Sequence, residues 1–334
     1  MPRWVNLHAM RPRSPALDAV DSVLDGLKLQ SSVFSRLELG EGWGFAKDQL
    51  AGAPFHIVLD GEAWLGPPGG GDFVRFQRGD VVILPRGQAH LLTSGPDAEI
   101  VSFKAVWAEL GFPDWRPGER YRPRVVRIGC DGTPCTRLIS GVFEFMDRRR
   151  NPLLTALPDV LVLRASDDLS SPGARLAEIA SLIDNEIVSD RAGAALVASR
   201  LADFLFIQAV RAHLEAALGL DTGWLRGLRD PQIGTALCLM HARPGTDWSV
   251  GTLALEAGMS RSLFAQQFKG LVGRGPIEYL TDWRMFEAAG HLGEGALPVV
   301  EVARRVGYQS EISFSKAFKR WAGTSPAAFR RMSP

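Results

Sequence analysis

The last hundred or so residues of this chain carry one pattern twice, and no other feature constrains the fold as tightly. The first copy has Leu253-Ala254, Gly258, Phe264, Phe268-Lys269, Gly273, Pro276 and Tyr279; the second has Val302-Ala303, Gly307, Phe314, Phe318-Lys319, Gly323, Pro326 and Phe329. The alanines and first glycines are offset by 49 residues, the phenylalanines and prolines by 50, so the second copy has one residue more in the turn after its glycine. Each copy reads as a helix-turn-helix. A short apolar helix (250–257; 299–306) ends at a glycine that can take the left-handed conformation of a tight turn. A serine, Ser260 or Ser310, then caps a second helix. Ala254 and Ala303 let the two helices approach where they cross, and the Phe pairs four apart bury one face of the second helix.

The opposite face is left free. It offers Ser262, Ala265, Gln266 and Lys269 in the first copy and Glu311, Ser313, Lys316 and Lys319 in the second. Short hydroxyl and amide groups beside basic residues suit a major groove, where hydrogen bonds read bases and cations meet phosphates. A single copy is compatible with a purely structural three-helix unit; two copies favour a reader of DNA. The segment 276–291 is helical in pattern and at ~1.5 Å per residue spans ~24 Å. Such a linker can set two recognition helices into successive groove faces, ~34 Å apart along the duplex. Charge agrees: residues 223–334 hold 14 Lys and Arg against 9 Asp and Glu, within a whole chain of net charge +1. The near-neutral total argues against a general nucleic-acid coat protein.

The first half is a different object. Short apolar runs, Phe55–Leu59, Ala63–Leu65, Phe73–Phe76, Val81–Leu84, Ala89–Leu92 and Ile100–Phe103, alternate with Gly, Pro and Asp, as in a β-barrel or sandwich. Two helical patterns come next. Residues 174–188 place Leu176, Ile179, Ala180, Ile183 and Ile187 on one stripe, and 193–218 place Leu196, Leu201, Leu205, Ile207 and Val210 around an apolar surface broken by Arg200 and Arg211. Such stripes serve equally to cover the barrel or to form a dimer. The expected fold class is α+β: a β-barrel followed by helices, then an all-α domain of two helix-turn-helix motifs joined by a linker helix. The expected boundaries are a loose tail at 1–15, the barrel domain at 16–165, the helical segment at 166–218, a linker at 219–230 and the DNA-binding domain at 231–331. With no run near the ~18 apolar residues of a membrane span, no signal-peptide core and only three cysteines, the expected compartment is the cytoplasm.

Residues 231–331 resemble the DNA-binding domain of the AraC/XylS family of bacterial transcription regulators, most specifically over Pro298–Pro326. The resemblance implies base-contacting positions at Ser262, Ala265, Gln266, Glu311, Ile312, Ser313 and Lys316, with the capping Ser310 and the basic Lys269 and Lys319 beside them. Gln266 and Gln267 stand where similar chains often carry arginine, a departure that implies a different base or weaker phosphate contact. Gly79-Asp80, Pro85, Gly87 and His90 resemble the second motif of the cupin fold, and the barrel resembles the cupin-like small-molecule sensor domains of one subgroup of the family. That second resemblance implies an effector pocket near His56, Trp64 and His90. A homodimer, promoter DNA and RNA polymerase are the expected partners, and the expected function is that of a transcription regulator, an activator by the family's habit, and not an enzyme.

Two rival functions stay open on the residues alone. A metal-dependent cupin enzyme would rest on His56, His90 and the distant Glu62, which could bind a metal because a facial site needs only three ligands. The paired histidines of a metal cupin are missing, the two histidines read better as pocket-lining or as satisfying buried carbonyls, and no metal and no cofactor are expected. An oxidant sensor would use Cys130 and Cys135, which Arg127 and Arg137 flank. The Arg148-Arg149-Arg150 run reads as a solvated loop.

Overall fold

The computed structural model describes residues 29–112, 121–130, 132–145, 157–166, 173–189, 191–216 and 223–332, with residues 24, 116, 154, 168 and 171 between them. The tail at 1–15, the arginine run at 148–150 and the first part of the linker therefore lie outside the described residues. The chain divides into two compact units, Leu29–Arg148 with Leu157–Leu220, and a second built around Asp221–Pro334.

The first unit is a sandwich of two sheets. Its strands are β1 (Gln30–Leu39), β2 (Gly44–Lys47), β3 (Ala53–Asp60), β4 (Glu62–Gly66), β5 (Val74–Gln77), β6 (Val81–Ile83), β7 (His90–Thr93), β8 (Val101–Ser102), β9 (Arg124–Ile128), β10 (Thr136–Glu144) and β11 (Leu161–Leu163). One sheet has the order β11-β6-β3-β10-β1-β9 and the other β5-β4-β7-β2-β8. The alternation of strand side chains builds the core between them: Leu37, Val58, Val82 and Leu138 from the first sheet meet Phe45, Ala63, Leu65, Phe76 and Leu92 from the second. A short helix, α1 (Phe103–Glu109), follows β8 and is capped by Ser102.

Two longer helices cover the outer face of the six-stranded sheet. In α2 (Ala174–Ser189) the five apolar residues Leu176, Ile179, Ala180, Ile183 and Ile187 are all buried. In α3 (Ala194–Ala216) the buried stripe is Ala198, Ala202, Leu205, Phe206, Ala209 and Val210, and Phe206 packs on Phe143 of β10 at 5.0 Å between ring centres. Leu196 lies outside that stripe and is exposed, as are Leu182, Val188, Val197 and Phe204.

Asp80 ties the turn before β6 to the chain beyond β11. Its buried carboxylate accepts from the Gln77 and Ala165 amides, at 3.0 and 2.8 Å, and from Arg164 at 2.8 Å. Gly79 beside it has φ 84°, and a Cβ there would sit 2.7 Å from that of Ala165.

The second unit is helical. In order it has α4 (Gly223–Arg229), α5 (Pro231–Ala242), α6 (Val250–Glu256), α7 (Arg261–Val272), α8 (Pro276–Gly293), α9 (Val299–Arg305), α10 (Glu311–Ala322) and α11 (Pro326–Met332). Residues 223–229, within the stretch read as a linker, thus form a helix that packs on α5 and α7 and buries Leu228. Helix α8 runs between the two helix-turn-helix copies and contacts α5, α7, α9, α10 and α11. Tyr279, Leu280, Trp283, Met285, Phe286, Ala288, Ala289 and Leu292 of α8 are buried, so it is the shared core of the unit.

Both turns use the same backbone solution. The Met259 amide donates to Ala254 O at 2.8 Å and the Tyr308 amide to Ala303 O at 2.9 Å, around Gly258 (φ 65°) and Gly307 (φ 86°). A Cβ at Gly307 would also lie 2.9 Å from the Arg284 guanidinium and from Gly245 O, whereas Gly323, the left-handed cap of α10, has open space there. Gly307→Val is expected to destabilise this unit by well over the ~1–2 kcal/mol that a left-handed L-residue costs, and Gly323→Ala by about that amount alone; thermal melts of the two variants check the difference.

Candidate functional site

The orientation of the second helix in each helix-turn-helix copy follows from what its buried face demands. In α7, Phe264 and Phe268 are fully buried, their rings 5.6 Å apart, and Phe268 meets Tyr279 of α8 at 5.9 Å. In α10, Phe314 and Phe318 repeat this at 5.6 Å, with Phe318 against Phe329 of α11 at 5.4 Å. Rotation about each helix is thereby set, and Ser262, Gln266 and Lys269 of α7 stand at the surface with Ala265 half-buried beside them. On α10, Glu311, Ile312, Ser313 and Lys319 are exposed; Ile312 is 71% accessible, unusual for so apolar a group. Ser260 and Ser310 act as caps, their hydroxyls accepting from the Leu263 and Ser313 amides at 3.4 Å. Gln267 is occupied: its amide nitrogen donates to Asp230 at 2.7 Å, and the other oxygen of Asp230 caps α5.

In the sandwich, His56 on β3 and His90 on β7 point at each other from opposite sheets, Nε2 to Nε2 at 3.1 Å. His90 Nδ1 faces Gln88 O at 3.0 Å, and a carbonyl oxygen only accepts, so that nitrogen carries the proton. His90 Nε2 is then an acceptor, His56 Nε2 donates to it, and His56 Nδ1 accepts the Ser140 hydroxyl at 2.9 Å. The chain of bonds is complete with both rings neutral. Burial first, and then the charge of Lys47, push both imidazoles down, His90 to about 4 and His56 well below its ordinary value.

A cavity of about 300 Å³ adjoins this pair. Its apolar walls include Phe34, Leu50, Phe103, Trp107 and Val142, and Ser35, Lys47 and Tyr121 also line it. Phe34 is the extra residue of a bulge in β1, where the pairing with β10 shifts between Val33 and Ser35. Lys47 pairs in register with His90 across β2 and β7, and its ammonium lies 4.0 Å from the centre of the Phe103 ring. Burial lowers the Lys47 amine to about 7. Trp64 does not line this cavity: the pleat of β4 turns Ala63 and Leu65 inward and Trp64 outward, where Arg75 lies over its ring at 5.9 Å.

Residues 18–215 match the cupin family and residues 253–332 match the helix-turn-helix domain family. Over 316 residues the chain is 34% identical to a putative AraC-like transcription regulator of Streptomyces antibioticus, covering 94% of this chain and 99% of that one. It belongs to the AraC-like transcription regulators. It is also 29% identical over 322 residues to the transcriptional regulator AlkR of Acinetobacter baylyi, covering 95% of this chain and 100% of that one. Among solved structures it is similar to the DNA-binding domain of AdpA in complex with a target DNA, 33% identical, covering 30% of this chain and 91% of that one, with a TM-score of 0.29. The α+β fold with an N-terminal cupin domain and a C-terminal helical domain, and DNA binding as a transcription regulator, stand on the two family matches and the full-length relatives.

The cupin domain of this regulator does not fit the metal that many cupins hold. Both acceptor nitrogens of the histidine pair are engaged in hydrogen bonds, and Glu62 sits on β4 in an ion pair with Arg75. Among the described residues no group of three His, Cys, Asp or Glu side chains could hold a metal ion. The thiols are unbridged; Cys130 donates to Glu38 O at 3.4 Å and Cys135 is exposed. The arginines beside them pair elsewhere, Arg127 with Glu38 at 2.6 Å and Arg137 with Asp60 at 2.9 Å. No helix among the described residues is long and apolar enough to cross a membrane.

The neutral histidine pair gives a pH dependence with a definite sign. Both folded pKa values lie below the ordinary 6.5, so as pH falls below about 6.5 the unfolded chain takes up protons that the folded domain refuses. Stability contributed by this pair is present above that pH and is lost towards about pH 4. His90→Gln is expected to make the fall in melting temperature between about pH 7 and about pH 5 shallower than in the unmodified protein.

Proposed function

We propose that this regulator reads promoter DNA with the outward faces of α7 and α10 and that the cupin cavity is its effector site. The observation that carries the DNA reading is the repeated Phe anchor, which leaves Ser262, Ala265, Gln266 and Lys269 on one helix, and Glu311, Ile312, Ser313, Lys316 and Lys319 on the other, turned away from the core. Ser310 adds its cap, and the free amides of a helix N-terminus favour phosphate. Gln266 can pair bidentately with adenine, where an arginine would prefer guanine.

The cavity supports the second half of the reading. It has the size and the mostly apolar, sparsely polar lining of a small-molecule site. Its histidines are spent on each other, so the domain acts as a receptor and not as an enzyme. An effector must bind more tightly to one arrangement of the regulator than to another, because a ligand of equal affinity for both shifts nothing. The exposed Leu182, Leu196 and Phe204 of α2 and α3 offer an apolar surface for a homodimer. The working site is the cytoplasm, where the dimer acts as an activator in contact with RNA polymerase.

The test uses DNA selected from a random pool by the full-length protein. Gln266→Ala and Lys316→Ala are each expected to weaken the selected sequence about five- to hundredfold while leaving random DNA nearly unchanged. Lys319→Ala is expected to weaken all sequences alike and to reduce the slope of log affinity against log salt by about one. Unchanged affinity and base preference in both Gln266→Ala and Lys316→Ala would remove these faces from the interface.

A further inference from the structure

The polar groups of the cupin cavity are unequal. His56 and His90 use all four ring nitrogens on Ser140, Gln88 O and each other. Lys47 has an aromatic ring beneath it and, among the described residues, no carboxylate within ion-pair distance. Among the described residues Asp48 is the single acid of the lining; it is solvent-exposed and makes no ion pair with Lys47. Lys47 is half-buried, and its ammonium, set against the Phe103 ring without a counter-ion among the described residues, has N–H groups that a molecule bound in the cavity can satisfy. The ligand group that meets them is therefore an acceptor, and an anion gains most. The body of that ligand meets aromatic walls. At about 300 Å³ the cavity lies at the small end of small-molecule sites, which suits a compact ligand.

We propose that the cavity binds a compact apolar monocarboxylate, its carboxylate paired with Lys47 and its body against Phe34, Phe103 and Trp107. This rests on the reading of the cavity as the effector site and names the class of effector. Binding restores the ammonium that burial disfavours, so the protein takes up a proton when it binds above about pH 7. The groups around Lys47 are His90 on β7, His56 on β3, Lys104 on α1, Asp48 beside it and Tyr121 before β9. The two histidines stay neutral over the range concerned because burial lowers His90 to about 4 and holds His56 well below its ordinary value.

The experiment is titration calorimetry of the full-length regulator with phenylacetate and octanoate, and with their uncharged counterparts phenylacetamide and 1-octanol, at about pH 6 and about pH 8. The acids are expected to bind about ten- to hundredfold more tightly than the uncharged pair at the lower pH. Their affinity is expected to fall about tenfold for each pH unit above about 7, with proton uptake at the higher pH. Lys47→Met replaces the amine with an apolar chain of similar length; it is expected to fold with an unchanged or raised melting temperature and to lose the preference for acids. If the uncharged pair bind as well as the acids, or Lys47→Met binds the acids unchanged, the carboxylate inference fails and the effector reading stands. Absence of binding by all four probes overturns the inference, and overturns the effector reading too if Leu50→Trp, which enlarges a half-buried wall residue into the cavity, leaves regulation of the target promoter unaltered.

Discussion

Two phenylalanines four residues apart fix the rotation of each recognition helix, and the rest of the DNA-binding unit depends on that. Phe264 with Phe268 and Phe314 with Phe318 are fully buried against α8 and its neighbours. Turning either helix about its axis would expose two rings, each worth roughly 1.5–3 kcal/mol of burial. The faces opposite them are consequently presented to solvent as a fixed array. Gly258 and Gly307 set the angle at which the array is reached, and α8 carries that geometry from one copy to the other through a continuous row of buried side chains. A polar face that is held rigid while unpaired is suited to a groove whose hydrogen-bonding pattern is itself rigid.

The cupin unit solves a different problem, the placement of polar groups inside an apolar sandwich. Its solution is pairwise neutralisation. Ser140, His56, His90 and the Gln88 carbonyl satisfy one another without net charge, and Asp80 is met by two amides and Arg164. Lys47 departs from that rule, as do the buried hydroxyls of Ser35 and Thr93, which have no hydrogen-bond partner among the described residues. The Lys47 amine stands in the same wall, pushed down to about 7 by burial and, among the described residues, without a carboxylate to meet it. Structural economy would place methionine or leucine there.

Much of this is legible in the sequence where the signal is local. The glycine, the capping serine and the Phe pair of each copy lie within about fifteen residues, and the added residue in the second turn, Gly307-Tyr308-Gln309-Ser310 against Gly258-Met259-Ser260, is visible in the offsets alone. The stripe of α2 and the cupin turn at Gly79, Pro85 and Gly87 are equally readable. What escapes depends on pairing between distant strands. Ser140 meets His56 only because β10 inserts between β1 and β3, 84 residues away in sequence. Lys47 ends a four-residue strand and reads in isolation as a solvated lysine. Trp64 lies near His56 along the chain and so suggests itself for the pocket, but the parity of β4 turns it outward while Ala63 and Leu65 face the core. In α3 the inward stripe follows small residues, Ala198, Ala202 and Ala209, as much as large ones, so a pattern that weighs bulk misplaces Leu196.

The most direct measurement is a hydroxyl-radical footprint of the full-length regulator on the DNA flanking its own gene. Two rigid reading helices on one α8 predict two protected segments for each subunit, about one helical turn (~10 base pairs) apart and on the same side of the duplex. A single protected segment for each subunit, or protection without sequence preference, would contradict the account of two presented faces.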